Sequence, residues 1–127
     1  MQLYIGGFAQ GKLNLVLEEH HLSPEDVADG AKIQTEEELR GKKVLNHYHL
    51  LVKRQLEQKI SPEDFILQIK NDFPKLILIS DEVGNGIVPM DAFSRDYRER
   101  LGRILCDLAA ESEKVVRVFC GIGQRLK

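Results

Sequence analysis

Gly6 and the pair Gly11-Lys12, separated by Gly7, Phe8, Ala9 and Gln10, match seven of the eight positions of the phosphate-cradling pattern G-x-x-x-x-G-K-[ST]. Such a loop works because glycines let the chain turn tightly, and the N–H groups at the start of the following helix converge on an anion. Lys12 would add a mobile positive charge toward the outer phosphates. The eighth position departs: Leu13 stands where a Ser or Thr hydroxyl would reach a phosphate-bound Mg²⁺. The same residues also suit an ordinary strand-to-helix turn, in which Lys12 is a surface lysine.

A second set of chemical groups follows an aliphatic run. Ser80-Asp81-Glu82 leads into Val83-Gly84-Asn85-Gly86-Ile87-Val88-Pro89, so acids and glycines stand at the tip of a strand candidate, Lys75 to Ser80. Ligands bind at the carboxyl ends of strands in open α/β sheets. Glu82 is a candidate either to hold a metal or to accept a substrate proton, and Asp81 is a second metal candidate. Both compete with a plainer reading as solvated loop acids. His20 with His21, and His47 with His49 around Tyr48, read as satisfied or exposed side chains rather than nucleophiles. Cys106 and Cys120 lack metal-ligand spacing and are expected to be buried free thiols without a disulfide.

The elements that would position these groups alternate between strand-like and helix-like segments, which predicts an α/β fold. Leu3 to Ile5 reads as the first strand, with a helix running on through residues 14–21. Residues 22–43 are polar and acidic, and read as a capped helical turn followed by a loop or small element. A short strand around Lys43 to Leu45 ends at Asn46, and Leu50, Leu51, Arg54 and Leu56 suit a helix. Ser61-Pro62-Glu63-Asp64 is a helix start, with a capping hydroxyl and proline at the first helical position. Phe65, Ile66 and Ile69 form its apolar stripe, and Pro74 closes it. A long helix from about Asp91 to Glu111 carries Phe93, Tyr97, Leu101, Ile104, Leu105 and Leu108 at helical spacing. The last strand is Lys114 to Cys120, and Gly121-Ile122-Gly123 leaves it.

With 127 residues the chain is expected to form one domain, residues 1–127. Apolar residues make up 43% and charged residues 30%, and the net charge is −2, a balance that gives no electrostatic case for nucleic acid. The longest apolar runs fall far short of the roughly 20 residues that span a bilayer, so no membrane is expected and the cytoplasm is the expected location.

Two segments carry a family resemblance. SDEVGNGIVP, and SRDYRERLGRILCDLAAESEKVVRVFCGIGQRLK after it, resemble the C-terminal half of the adenosylcobinamide kinase and adenosylcobinamide-phosphate guanylyltransferase family. The likeness covers roughly residues 75–127, and the N-terminal GGFAQGK adds the other end. It implies a three-layer P-loop fold resembling RecA, a mostly parallel sheet with helices on both faces, here reduced in size. It implies ATP or GTP as the phosphate donor, the aminopropanol hydroxyl of adenosylcobinamide as acceptor, and a homo-oligomer. Carried over by position, Gly6, Gly7, Phe8, Ala9, Gln10, Gly11, Lys12 and Leu13 fall on the phosphate loop. Lys12 and Glu82 become the catalytic candidates, and Glu82, Val83, Gly84, Gly86, Ile87, Val88 and Pro89 fall on the E-V-G-x-G-I-V-P segment. Arg98, Gly102 and Arg103 match positions in the long helix, and Arg98 is a candidate phosphate contact.

Three departures bear on activity. The chain is shorter than the usual member. No counterpart exists to the H-x-x-x-R-P-like segment, whose His carries the guanylyl intermediate. Asn46 also stands where a strand normally ends in an acid, so Leu13 and Asn46 together remove both usual protein handles on Mg²⁺. Three readings remain: a shortened phosphotransferase, a non-catalytic relative that binds a nucleotide or phosphate or assembles with partners, and a purely structural α/β domain.

Overall fold

The computed structural model describes residues 1–83 and 91–127. The glycines and the Ile87-Val88-Pro89 run of the E-V-G-x-G-I-V-P segment lie outside the described residues. The elements are β1 (Gln2–Gly6), α1 (Lys12–His20), a 3₁₀ turn (Pro24–Asp26), β2 (Val27–Asp29), a second 3₁₀ turn (Glu36–Leu39), β3 (Val44–Asn46), α2 (Tyr48–Glu57), α3 (Pro62–Asp72), β4 (Ile77–Asp81), α4 (Ala92–Glu111), β5 (Lys114–Phe119) and β6 (Ile122–Arg125).

Six strands form one sheet in the order β2-β3-β4-β1-β5-β6. All neighbours are parallel except β5 and β6, which pair antiparallel. Parallel strands are covered on both faces, and alternation along each strand explains how. Leu3, Leu45, Leu78 and Val115 face one core, shared with Leu51 and Val52 of α2, Ile66 and Ile69 of α3, and Leu101, Ile104 and Leu108 of α4. Tyr4, Val44, Ile77, Ile79, Val116 and Val118 face the other, closed by Val16 with Leu13 and Leu15 of α1. The result is the three-layer α/β, P-loop-like architecture that the sequence predicts.

Local chemistry sets most boundaries. Ser61 caps α3 by accepting from the Asp64 amide at 3.2 Å, with Pro62 at the first helical position. Asp91 caps α4 by accepting from the Ser94 amide.

Several expectations need correction. Between residues 22 and 43 the expected capped turn is present, and the small element left open after it is a strand, β2, flanked by 3₁₀ turns that Ser23 and Thr35 open as capping boxes. Its three residues are too few to show a period. The strand from Lys114 is not the last: Cys120 and Gly121 adopt positive φ and fold the chain back as β6. Strand β4 starts at Ile77 rather than Lys75 and includes Asp81, because Gly6 pairs with Asp81 across β1 and β4. Cys106 and Cys120 are free but exposed, not buried: Cys106 is on the outer face of α4 and Cys120 in the hairpin turn. Phe93, placed by periodicity in the α4 core stripe, is exposed, and lines a surface hollow beside Lys53, Leu56 and Glu57 of α2.

Candidate functional site

The loop between β1 and α1 is framed by its neighbours. The register places Gly6 beside Asp81 on one side and beside Val118 on the other. A Cβ on Gly6 would stand 2.5 Å from the Val118 carbonyl oxygen, so the close approach of β5 demands glycine here. Gly11 caps α1 with φ 84°, a left-handed conformation. The loop is tied to the β5–β6 turn: the Gln10 carbonyl accepts from the Gly121 amide at 2.8 Å, and Gln10 Oε1 accepts from the Cys120 amide at 2.7 Å. No backbone amide of residues 8–11 donates a hydrogen bond within the described residues. Those donors remain available to an anion.

Lys12 is not a surface lysine. Its side chain is 8% exposed, and its ammonium donates to the Gly7 carbonyl at 2.7 Å and pairs with Asp81 Oδ1 at 2.7 Å. Asp81 Oδ2 lies 3.3 Å from Nε2 of His49, a residue on the first turn of α2. The Asp81 amide donates to His49 Nδ1 at 3.1 Å, which leaves the proton of a neutral ring on Nε2. Burial lowers the His49 pKa, with the charges of His47 and Lys12 adding to it and Asp81 opposing, so the neutral ring is favoured. Tyr97 of α4 donates to the His49 carbonyl at 3.0 Å; burial first, and then the charge of Asp81, push its pKa up to about 12.

Phe8, Ala9, Gln10, Gly11, Lys12, Leu13 and Asn14 face Asn46, His47, His49, Leu50 and Asp81 across a cleft of about 570 Å³. That volume suits a small-molecule ligand. It lies at the carboxyl ends of β1, β3 and β4, where α/β sheets place ligands.

The other predicted site residues are distributed as follows. Glu82 sits just past the tip of β4, where its amide donates to the Gly6 carbonyl and its carboxylate pairs with Arg117 Nη2 at 3.3 Å. It does not line the cleft, whereas Asp81 does. Arg98 is half-buried on α4 and is not among the cleft-lining residues. Leu13 leans against the core under α1, so this position contributes packing instead of a hydroxyl.

Residues that sequence reasoning did not place in the site are His47, His49 and Asp29. His47 Nδ1 lies 2.9 Å from Asp29 Oδ1. Burial works to raise the Asp29 pKa, but the hydrogen bonds from His47 and from the Ala31 amide outweigh it and hold it below the usual carboxylate range. No spacing signal joins Asp29 to His47; only the pairing of β2 with β3 does.

A metal fits this set poorly. Among the described residues no group of three or more His, Cys, Asp or Glu could hold an ion. Asn46 and Leu13 supply no charge, and Asp81 is already paired with Lys12.

The family model "Cobinamide kinase / cobinamide phosphate guanyltransferase" matches residues 30–126. That span begins after the loop, so the loop stands on its own geometry. The bifunctional adenosylcobalamin biosynthesis protein CobU of Escherichia coli (strain K12) is 36% identical over 74 residues, 57% of this chain and 41% of that protein. Its namesake in Salmonella typhimurium (strain LT2) is 42% identical over 53 residues, 42% of this chain and 29% of that protein. The chain thus spans about two fifths, or less, of the curated relatives it matches. With its P-loop-like sheet and a model match over three quarters of its length, the chain belongs to the cobinamide kinase / cobinamide phosphate guanyltransferase family.

Proposed function

We propose that this protein is a nucleoside-triphosphate-dependent phosphotransferase of cobalamin biosynthesis, with the cobinamide hydroxyl as acceptor and ATP or GTP as donor. The observation that carries the proposal is the cleft at the carboxyl end of the sheet, where the open amides of residues 8–11 and the Lys12 ammonium meet Asp81. Electrostatic stabilisation of a transferring phosphoryl group calls for such donors, set in place before the reaction.

In this reading, Gly6 and Gly7 shape the turn. The amides from Phe8 to Leu13 cradle the triphosphate, and Lys12 exchanges Asp81 for a phosphate oxygen. Glu82 as proton acceptor or metal holder is a competing assignment, which retained turnover in Glu82→Gln excludes, and Arg98 is a candidate phosphate contact. The proposal is confined to phosphoryl transfer, because the histidine segment of guanylyl transfer has no counterpart here. No step is assigned to Mg²⁺. Assembly into a homo-oligomer belongs to the same reading: β6 is an edge strand, and Phe119, Ile122 and Leu126 on this hairpin are exposed apolar residues.

A second reading, a non-catalytic nucleotide- or phosphate-binding relative, is favoured by the closed Lys12–Asp81 pair together with the absence of charged metal ligands at Leu13 and Asn46. Thermal unfolding with ATP or GTP, with and without Mg²⁺, followed by turnover with adenosylcobinamide, separates the two. Stabilisation with product formation supports the phosphotransferase. Stabilisation without product supports the binding relative, and no shift with any nucleotide sinks both.

A further inference from the structure

His47 occupies an unusual position. It follows the last residue of β3 and precedes α2, and it takes φ 55° and ψ 42°, a left-handed conformation that is strained for a side chain other than glycine. Although it caps α2, its side chain makes no capping bond. Gly30 passes so close beneath it that a Cβ there would collide with the His47 carbonyl oxygen. A sharp strand-to-helix turn presenting one side chain at a cleft is also how other folds expose a reactive group.

The ring is oriented as a base. Asp29 Oδ1 also accepts from the Ala31 amide at 2.9 Å, so the carboxylate is itself fixed. A carboxylate accepts, so the neutral ring carries its proton on Nδ1 and leaves the Nε2 lone pair bare. The side chain is 45% exposed, lines the cleft, and has no hydrogen bond to Nε2 among the described residues.

The competing groups are already engaged. Both ring nitrogens of His49 face Asp81, the Asp81 carboxylate pairs with Lys12, and Glu82 pairs with Arg117 outside the cleft lining.

We infer that His47, oriented by Asp29, is the general base for the acceptor hydroxyl, an inference that rests on the phosphotransferase reading above. The hydroxyl O–H bond breaks and its proton passes to Nε2. The oxygen bonds to the γ-phosphorus as the bond from that phosphorus to the β–γ bridging oxygen breaks, and the nucleoside diphosphate leaves with the electron pair. His47 is left as an imidazolium facing Asp29, and it returns the proton to solvent. Asp29 is a positioning residue: it sets the tautomer and offsets the charge that forms.

The test compares the full chain with its His47→Asn variant, chosen because Asn tolerates the left-handed backbone. Single-turnover phosphorylation of adenosylcobinamide by ATP or GTP should fall by about 10²–10⁴-fold, while nucleotide-induced thermal stabilisation is retained. In His47→Gly, which relieves the backbone, added imidazole should restore rate in proportion to its concentration. A wild-type rate in His47→Asn, or no imidazole rescue in His47→Gly, overturns the inference and leaves the phosphotransferase reading standing. An unmutated protein that binds nucleotide but never forms product removes that reading, and the base with it.

Discussion

The Lys12 ammonium sits 2.7 Å from Asp81 Oδ1, and this contact joins the phosphate loop to the tip of the neighbouring strand. It exists because Gly6 and Asp81 are partners in the β1–β4 register, so the first helical residue after the loop reaches back over its own strand. The Gly7 carbonyl is a second acceptor that holds the ammonium in place. A polyanion entering the cleft competes with Asp81 for this charge.

Lys12→Met should therefore act in two ways. It removes the ammonium paired with a largely buried carboxylate, costing about 1–3 kcal/mol of stability by chemical denaturation. It should also abolish the thermal shift produced by ATP or GTP. A variant that keeps the full nucleotide shift would show that Lys12 does not contact phosphate.

Asp81 and Glu82 are adjacent but differently employed, and their amide variants should differ accordingly. Glu82→Gln weakens a half-exposed pair with Arg117, a loss of about 0–1 kcal/mol, and should leave nucleotide-dependent turnover close to that of the unmutated protein. Asp81→Asn should change both nucleotide affinity and rate. Loss of turnover in Glu82→Gln alone would return the catalytic role to Glu82.

Stability should fall on acidification through the histidine range. Burial holds the His49 pKa below the unfolded value of about 6.5. The unfolded chain therefore takes up the proton first, and the contribution is complete above about pH 6.5 and lost as the pH drops from there toward the folded value. His20 shifts in the same direction, through burial and then the charge of Lys114. Urea midpoints measured across this window should decline, and His49→Gln should flatten part of the slope. An unchanged slope in that variant would mean that His49 is not the buried neutral ring described here.

Gly6→Ala probes whether the loop needs its first glycine for space. The added methyl meets the Val118 carbonyl, a backbone atom that moves only if β5 shifts, so a loss of about 1–3 kcal/mol is expected from thermal or denaturant unfolding. Unchanged stability would show that the β1–β5 spacing relaxes freely.

Much of this protein was legible in its sequence because the relevant signals are local. Ser61-Pro62 starts α3 through a cap and a preset φ, and Ile77 to Ile79 is aliphatic on both faces because it becomes a central parallel strand. Gly6 to Lys12 spells out a loop between a strand and a helix. Tertiary structure alone decided which charged groups meet. Asp81 rather than Glu82 faces the cleft because strand alternation and the Gly6 pairing turn one inward, while Arg117 of β5 takes the other. Asp29 and His47 come together only because β2 pairs in parallel with β3, and a pairing between short strands leaves no period to read. Chain-local preference fixes where elements begin and end, whereas the site is made of contacts across sheet register, which no local spacing encodes.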